Sequence, residues 1–293
     1  MAYLGSHTGH GADHTARLLI SCPDGPGIVA AISHFLFEQG ANIVSSDQYS
    51  TDPEHGSFFM RCAFYLPEID EDRATFEAAL ALLLERFGME WRIAYARDRR
   101  RVALMASRED HCLLDLLWRN RRGELDMDVT CVISNHENVR DEVEAMGVAF
   151  LHIPVTKATK PQAEAGALDA LSGAELLVLA RYMQILSADF LARVGCPVIN
   201  IHHSFLPAFA GAEPYRHAYE RGVKLIGATA HYVTEELDEG PIIEQDVQRV
   251  GHRYTVDDLE RVGRDLERIV LARAVRSVLD DRVLVHDGRT IVF

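Results

Sequence analysis

Two separated segments of the chain hold residues whose types and spacing suit acyl chemistry. In the first, residues 200–207, a carboxamide and an imidazole stand two positions apart, at Asn200 and His202. Two such residues on a strand point to the same face, so both side chains can reach one substrate atom. In the second, residues 231–243, an acidic loop containing Asp238 precedes a Gly-Pro turn. An amide donor, a base and a carboxylate can together stabilise and protonate a tetrahedral intermediate, and we expect the aspartate to face the imidazole.

The chain from about residue 100 onward alternates between strand-like and helix-like patterns, and these elements must position the two segments. Strands are predicted at 102–107, 127–134, 150–155, 175–181 and 197–203. Helices are predicted at 111–121 and near 139–146, 162–171 and 188–194. Such alternation implies right-handed crossovers and a doubly wound, mostly parallel sheet with helices on both faces. Ligands of these sheets bind beyond the carboxyl ends of the strands, where Asn200 and His202 are placed.

The two segments together resemble the signature of the formyltetrahydrofolate-dependent formyltransferase family, N-I-H-x-S-x-L-P followed by H-x-V-x-x-x-x-D-x-G-P-I. The family pattern fits residues 100–293. The resemblance implies that Asn200 and His202 polarise the formyl oxygen and stabilise the oxyanion. It also implies that Asp238 orients the acceptor and relays protons with His202. A lone strand-end asparagine or histidine is more often a turn residue, but two motifs in the right order favour catalysis.

The same resemblance assigns further residues to the folate substrate. The stretch that holds the pterin ring in this family is matched by Arg181, Tyr182, Met183, Gln184, Ile185 and Leu186. His203, beside the proposed catalytic imidazole, and Gly240, in the turn of the second motif, are also expected to border the substrate. We expect no metal, because the sequence holds no H-E-x-x-H motif and no paired cysteines. The folate is then a substrate, and no cofactor is expected.

The acceptor of the formyl group is predicted from the loop after the first strand of this domain. Family members that formylate a sugar phosphate carry a glycine-rich loop there, whereas residues 107–112 hold no glycine and place Glu109 and Asp110 beside Arg108. Members that formylate initiator tRNA add a basic C-terminal domain, and the acidic balance of this chain disfavours RNA. Water remains as the acceptor.

The N-terminal domain described next, together with H-H-S-F-L-P at 202–207 and G-A-T-A-H-Y-V at 227–233, makes the chain resemble the formyltetrahydrofolate deformylases. This resemblance covers about residues 17–293. It implies hydrolysis of 10-formyltetrahydrofolate to formate and tetrahydrofolate, which recycles tetrahydrofolate and supplies formate. Two alternatives stay open at this point: transfer of the formyl group to an unrecognised amine, and a catalytically idle folate sensor.

Residues 16–97 follow the order strand, helix, strand, strand, helix, strand, which is typical of a ferredoxin-like βαββαβ unit. The D-G-P-G-I turn at 24–28 and the G-A-N-I hinge at 40–43 resemble the ACT regulatory domain. A glycine turn of this kind exposes amides at a helix start, where the carboxylate of an amino-acid effector can dock. The effector is assigned to Asp24, Gly25, Gly27 and Asn42. The alternatives are that the glycines only form a tight turn, or that the domain only dimerises its host.

Composition restricts the remaining partners. Forty-four acidic against 30 basic residues give a formal charge of -14, which disfavours nucleic acid and anionic membranes. Five cysteines without disulfide or zinc spacing fit a reducing cytoplasm. No apolar segment approaches the roughly 20 residues that span a bilayer.

The predicted organisation has three parts: a flexible tail at 1–15, the ACT-like domain at 16–97 and the catalytic domain at 98–293. The arginine-rich stretch at 97–101 is interpreted as a solvated linker or strand edge. Because ACT-like sheets tend to pair side by side, we expect a homodimer or homotetramer.

Overall fold

The computed structural model describes residues 14–52, 54–207 and 214–293, and the chain divides into two compact units. One unit comprises Met1–Arg99 with Phe293, and the other comprises Arg100–Val292. The expected flexible tail lies outside the described residues except at its last two positions. Of these, Thr15 is the first residue of a strand, so that strand begins inside the segment assigned to the tail.

The first unit is a four-stranded antiparallel sheet with two helices. Its elements in order are β1 (Thr15–Pro23), α1 (Ile28–Glu38), β2 (Asn42–Ser50), β3 (Ser57–Tyr65), α2 (Arg73–Glu85) and β4 (Glu90–Tyr95). The strand order is β2-β3-β1-β4, with β1 antiparallel to both of its neighbours. Gly27, with φ of 93°, allows the chain to turn left-handed into α1, which a residue with a Cβ would resist. This topology confirms the predicted ferredoxin-like unit.

The second unit contains a seven-stranded sheet and a two-stranded hairpin. Its strands are β5 (Arg100–Ala106), β6 (Met127–Ser134), β7 (Phe150–His152), β8 (Leu176–Leu179), β9 (Val198–His202), β10 (Leu225–Tyr232), β11 (Ile242–Arg249), β12 (Val283–His286) and β13 (Arg289–Val292). Its helices are α3 (His111–Arg121), α4 (Arg140–Ala145), α5 (Lys160–Ala170), α6 (Ala188–Arg193), α7 (Pro214–Glu220) and α8 (Val256–Leu279). The sheet order is β11-β10-β9-β8-β5-β6-β7, while β12 and β13 form a separate hairpin.

The five neighbouring strands β9, β8, β5, β6 and β7 are parallel, and β10 and β11 extend the sheet antiparallel at one edge. The prediction of a mostly parallel sheet is therefore confirmed. Two apolar clusters cover its faces because successive residues of β5 alternate between them. Leu104 packs on the face that carries α3 and α8, and Met105 packs on the face that carries α5 and α6. We refer to these as the α3/α8 face and the α5/α6 face.

Two features of the second unit differ from the sequence analysis or were absent from it. The 24-residue helix α8 was not predicted, although a capping box between Thr255 and Asp258 marks its start. The interpretation of the arginine-rich stretch as solvated is wrong at Arg100. Its guanidinium donates to the carboxylate of Asp281 at 2.7 Å, and that carboxylate is only 1% exposed. Arg100 is therefore a structural anchor of β5.

Candidate active site

A cavity of about 660 Å³ opens at the carboxyl edge of the parallel strands, where the fold predicts a ligand. Its wall includes Asn200, His202 and Asp238, together with all six residues of the predicted pterin loop, 181–186. The volume is of the size that holds a small-molecule substrate. The structure therefore brings the three predicted catalytic residues and the predicted substrate loop to one cavity.

Strands β9 and β10 place three polar side chains on one face. Asn200 lies directly opposite His231 in the antiparallel pair, and the Nδ2 atom of Asn200 is 3.3 Å from the Nε2 atom of His231. His202 is two residues beyond Asn200 on the same strand, so it points to the same side. His202 and His231 are buried, with exposures of 6% and 2%. The alternation predicted from sequence holds, and the cross-strand neighbour adds a second imidazole.

Asp238 returns to this group from the loop between β10 and β11. Its φ of 59° is left-handed, which is uncommon for a residue other than glycine. The Oδ2 atom of Asp238 is 3.2 Å from Nδ1 of His202, and its Oδ1 atom is 3.7 Å from Nε2 of His231. The hydrogen bond from His202 first, and then the nearby His231, hold the pKa of the Asp238 carboxyl well below its usual range, against the opposing effect of burial. The carboxylate is therefore ionised at neutral pH.

The contact with Asp238 determines which ring nitrogen of His202 carries the hydrogen. A carboxylate accepts hydrogen bonds, so Nδ1 of His202 carries the hydrogen and Nε2 of the neutral ring has a lone pair. Nε2 is buried and has no hydrogen-bond partner among the described residues. A buried polar atom of this kind at a cavity wall is suited to exchange a proton with a bound substrate.

Gly240 is explained by packing and does not line the cavity. A Cβ at this position would overlap the backbone carbonyl of Tyr232, and it would lie 3.4 Å from Nδ1 of His231. The glycine thus allows the loop carrying Asp238 to run close against the end of β10. The structure supports a role for Gly240 in placing that loop, and its predicted role in substrate binding stays a prediction.

The first residues of the predicted pterin loop are held by hydrogen bonds, and its later residues are mostly apolar. The backbone N–H of Ser107 donates to the carbonyl of Arg181 at 3.2 Å, and the hydroxyl of Ser107 accepts from the N–H of Met183 at 2.9 Å. Tyr182 and Leu186 pack on the α5/α6 face, whereas Met183 and Ile185 remain 56% and 62% exposed. Exposed apolar side chains on an anchored loop offer a surface on which a flat ring can stack.

His203 lies beside His202 and lines the cavity, and its predicted contact with the substrate stays a prediction. Its ring stacks on that of His202 with centroids 5.0 Å apart, and it lies 6.2 Å from the ring of Tyr215. Burial first, and then the charge of Arg181, lowers the pKa of His203 to about 4. His203 is consequently a neutral imidazole at pH 7.

The loop after β5 contributes less to the cavity than its sequence suggested. Of its three charged residues, Glu109 lines the wall, whereas Arg108 and Asp110 do not. His111, at the start of α3, turns its Nε2 atom to a buried carboxylate on α8, Glu267, at 2.9 Å. The sequence analysis missed both Glu267 and Tyr215, which also line the cavity. Neither lies within a motif, so no sequence signal marked them.

One group of donor atoms has metal-like spacing. Ligand atoms of His111, Cys112 and Glu267 lie within 4.8 Å of one another. The carboxylate of Glu267 already faces the imidazole of His111 and the guanidinium of Arg181, at 2.9 and 3.2 Å. A cation would compete with that guanidinium, so the donor set does not favour a metal. The expected absence of a catalytic metal stays a prediction.

The first unit has its own cavity, of about 490 Å³, at the turn into α1. Asp24, Gly25 and Gly27 line it together with Ser50. The carboxylate of Asp24 accepts from the N–H of Gly25 at 2.7 Å and from the hydroxyl of Ser50 at 2.5 Å. Three of the four predicted effector residues therefore share one cavity.

Asn42 does not line that cavity within one copy of the chain, and its assignment to the effector stays a prediction. Asn42 pairs with Tyr65 at the start of β2, whereas Ser50, at the cavity, pairs with Phe58 at the other end. Eight residues of strand separate the two positions, about 27 Å at the usual rise. The hinge motif and the turn motif both carry the resemblance to the ACT domain, but they lie at opposite ends of the sheet.

Within the part of the chain that the structure describes, no helix has the length and hydropathy that a membrane crossing requires.

Comparison with known proteins follows the division into units. The formyl transferase family matches residues 100–275, and the ACT domain family matches residues 16–67. Fold and site thus define a protein of the formyl transferase class that carries an ACT domain at its N-terminal side.

The formyltetrahydrofolate deformylase of Mycobacterium tuberculosis is 60% identical over 282 residues, which cover 94% of this chain and 90% of that protein. A crystal structure of a formyltetrahydrofolate deformylase from Pseudomonas syringae matches with a TM-score of 0.90 and 50% identity, covering 95% and 94% of the two chains. Glycinamide ribonucleotide transformylase 1 from Symbiobacterium toebii matches with a TM-score of 0.62 and 32% identity, covering 67% of this chain and 94% of the other. The chain belongs to the formyltetrahydrofolate deformylase family.

Proposed function

We propose that the chain hydrolyses 10-formyltetrahydrofolate to formate and tetrahydrofolate, with Asn200, His202 and Asp238 as its catalytic residues. The observation that carries the proposal is the 3.2 Å contact between Asp238 and His202 in the same cavity as the apolar loop 181–186. The loop and its neighbours hold the pterin, and the formyl group then lies against the ends of β9 and β10.

The reaction is addition of water to the formyl carbon followed by cleavage of the bond from that carbon to N10. Asp238 and His202 take the proton of the attacking water, and Asn200 donates an amide hydrogen to the developing oxyanion. N10 receives a proton as it leaves, so the products are formate and tetrahydrofolate. Each group acts from a buried or half-buried position, where a hydrogen bond to a charged atom is stronger than in water.

The two alternative functions predict different details of this site. An idle sensor has no need for an ionised carboxylate against an imidazole whose Nε2 atom is left without a partner among the described residues, and the pair formed by Asp238 and His202 argues for catalysis. A transferase needs a place that holds its amine through contacts remote from the reacting nitrogen. The hydrolase is the function that these groups support best.

The first unit is proposed to regulate the second by binding an amino acid in the cavity next to Asp24. The amide of Gly25 and the helix start at α1 suit a carboxylate, provided that Asp24 keeps its own bond to Ser50. We also propose that the protein is a homodimer or homotetramer, because β2 is an edge strand whose Val44 and Tyr49 are 62% and 49% exposed. We propose the cytoplasm as its location. The folate is proposed as a substrate without a further cofactor.

The direct test is incubation of the purified protein with 10-formyltetrahydrofolate in the absence of any amine. Formate and tetrahydrofolate should appear in equal amounts. Formation of tetrahydrofolate only when an amine is added would instead assign a transferase, and binding without turnover would assign a sensor.

A further inference from the structure

A buried cluster of polar side chains at one wall of the cavity takes no part in the proton transfers proposed above. At its centre is Glu267 of α8, which is 1% exposed. The Oε2 atom of Glu267 lies 2.9 Å from Nε2 of His111 and 3.2 Å from Nε of Arg181, and Oε1 accepts from the hydroxyl of Tyr215 at 2.7 Å. These four residues are called the Glu267 cluster below.

The carboxylate at the centre of the cluster is ionised in spite of its burial. Desolvation raises the pKa of Glu267, but the hydrogen bond from His111 and the charge of Arg181 outweigh it, so the pKa lies below its ordinary value. Both oxygens of the carboxylate are occupied by these partners. A second substrate therefore finds no free acceptor on Glu267.

Arg181 reaches Glu267 from an unusual backbone conformation. Its φ of 64° is left-handed, where a residue with a Cβ is uncommon, yet its side chain is only 13% exposed. Gly263 on α8 makes similar room for Tyr215, since a Cβ there would overlap the Tyr215 ring. Backbone and helix packing are thus both adapted to bring large side chains into this wall.

Arg181 belongs to both the pterin loop and the Glu267 cluster, but the later residues of the loop and Tyr215 pack on different faces of the sheet. Tyr182 and Leu186 pack with the α5/α6 face, while Tyr215 belongs to the apolar cluster of the α3/α8 face, as do the residues around Glu267 on α8. His203 stands between them, stacked on His202 and 6.2 Å from the Tyr215 ring. With the pterin on the first side, a second substrate has to approach from the second.

We propose that Arg181, fixed by Glu267, fills the acceptor side of the cavity and thereby restricts the acceptor to water. The inference rests on the proposed hydrolysis and names the residues that set its specificity. A transferase holds its acceptor by contacts remote from the reacting amine. Here the Glu267 carboxylate is already paired with His111, Arg181 and Tyr215, and the Arg181 side chain takes up the space beside it, so an amine gains few such contacts, whereas water needs none.

The fold alone does not decide between the two outcomes. The second unit shares its fold with a structure named as a glycinamide ribonucleotide transformylase, at a TM-score of 0.62 and 32% identity. Side chains at the acceptor wall must then carry the difference. In both reactions the bond from the formyl carbon to N10 breaks and N10 gains a proton. In transfer, the new bond forms to the amine nitrogen, which loses a proton, in place of the water oxygen.

The test uses Arg181→Gly and Arg181→Asn in the full chain, because both replacements tolerate a left-handed backbone and remove the guanidinium. Each variant is incubated with 10-formyltetrahydrofolate and millimolar glycinamide, and formylglycinamide and formate are measured together. The ratio of formylated amine to formate should rise at least about tenfold above that of the unaltered protein, the scale of discrimination that pocket contacts provide. Glu267→Gln, which weakens the anchor and keeps the volume, should raise the ratio by less.

Asp287→Gly is the matched control, since Asp287 also has a positive φ, 48°, but lies in the β12–β13 turn. It should leave the ratio unchanged. An unchanged ratio in both Arg181 variants, with formate still released, would overturn the inference and leave the hydrolase intact. So would a loss of all turnover in both variants when circular dichroism and thermal unfolding match the unaltered protein, because Arg181 would then be required for the reaction itself. Failure of the unaltered protein to release formate would instead contradict the proposed function.

Discussion

Asn200 and His231 face each other across β9 and β10, with 3.3 Å between the amide nitrogen and the Nε2 atom. The other ring nitrogen of His231, Nδ1, lies 2.8 Å from the carbonyl oxygen of Tyr232. A carbonyl only accepts, so Nδ1 carries the hydrogen, and Nε2 of the neutral ring accepts from Asn200. This bond fixes which end of the Asn200 carboxamide is the NH2 and leaves its second hydrogen for the formyl oxygen.

The first prediction follows from that orientation. His231→Leu removes the acceptor for Asn200, so we expect kcat for formate release to fall about tenfold to a hundredfold, the usual effect of losing a group that orients a catalytic one. The KM for 10-formyltetrahydrofolate should change little because His231 orients a catalytic side chain. His252→Leu, at an exposed histidine outside the cavity, is the control. A raised KM at unchanged kcat would show that His231 binds substrate instead.

The second prediction concerns the catalytic pair. Asp238→Asn and His202→Ala should each reduce formate release by at least about a hundredfold, the scale of a positioned acid–base group. The fold should persist, because neither side chain belongs to an apolar cluster. Glu239→Gln removes the neighbouring exposed carboxylate and should retain activity. Near-normal turnover in either catalytic variant would refute the site assignment, and circular dichroism would separate lost chemistry from lost structure.

Residue spacing was sufficient to predict Asn200 and His202 together, because alternation along one strand is a local rule. The pairing of Asn200 with His231 depends on the register between two strands, which the sequence does not state. Glu267 depends on how α8 packs against the end of α3, a longer-range relationship still. The separation of Asn42 from the turn at residues 24–28 has the same cause, since pairing of the strands puts the two ACT-like motifs at opposite ends of the sheet.

Between residues 100 and 203 the predicted strands and helices mostly agree within two residues of the observed ones, and the order of elements in the first unit was predicted as well. Their apolar periodicity is set locally, and the topology follows from handedness rules. Helix α8 was omitted, although its capping box and its buried Leu259, Leu266 and Val270 show the period of an amphipathic helix. The packing role of Gly240 was inaccessible, because it depends on the backbone of Tyr232.

The third prediction tests that packing. Gly240→Ala introduces a Cβ that overlaps the Tyr232 carbonyl, so the loop must shift and carry Asp238 away from His202. We expect formate release to fall by about tenfold or more, since small displacements of a reacting group are costly. Gly251→Ala is the matched control because a Cβ there meets no atom within 4 Å and its φ is not positive. Equal activity of the two variants would contradict this role.

The fourth prediction is a dependence of stability on pH. The pKa of His203 is about 4 in the folded protein, below the ordinary value of about 6.5. The unfolded chain then binds more protons between these values, so folding stability is lost as the pH falls through that window. His203→Gln removes this linkage. The free energy of unfolding of both proteins is measured by urea denaturation. Relative to the variant, the unaltered protein should lose on the order of 3 kcal/mol of this free energy between pH 7 and pH 4. If the difference in unfolding free energy between the two proteins does not change with pH, His203 is exposed to solvent in the folded protein.

The last prediction concerns the first unit. Its apolar core, formed by residues such as Leu18, Phe64 and Leu80, is separate from the two clusters of the second unit. Every proposed catalytic residue lies beyond Arg100. A chain that begins at residue 98 retains Arg100 and its bond to Asp281, and we expect it to be soluble and to keep part of its formate release. A chain that begins at residue 102 loses that anchor of β5 and should be less stable.

The shorter of these deletions also tests regulation. Because the predicted effector residues Asp24, Gly25 and Gly27 line a cavity of the first unit, removing residues 1–97 should abolish any change in formate release caused by added amino acids. Ser50→Ala in the full chain is the matched point variant, since it removes the hydroxyl that donates to Asp24. It should shift the amino-acid concentration needed for half the response while basal turnover stays the same. Full effector sensitivity in the truncated chain would place the effector site in the second unit and leave the first unit a role in assembly alone.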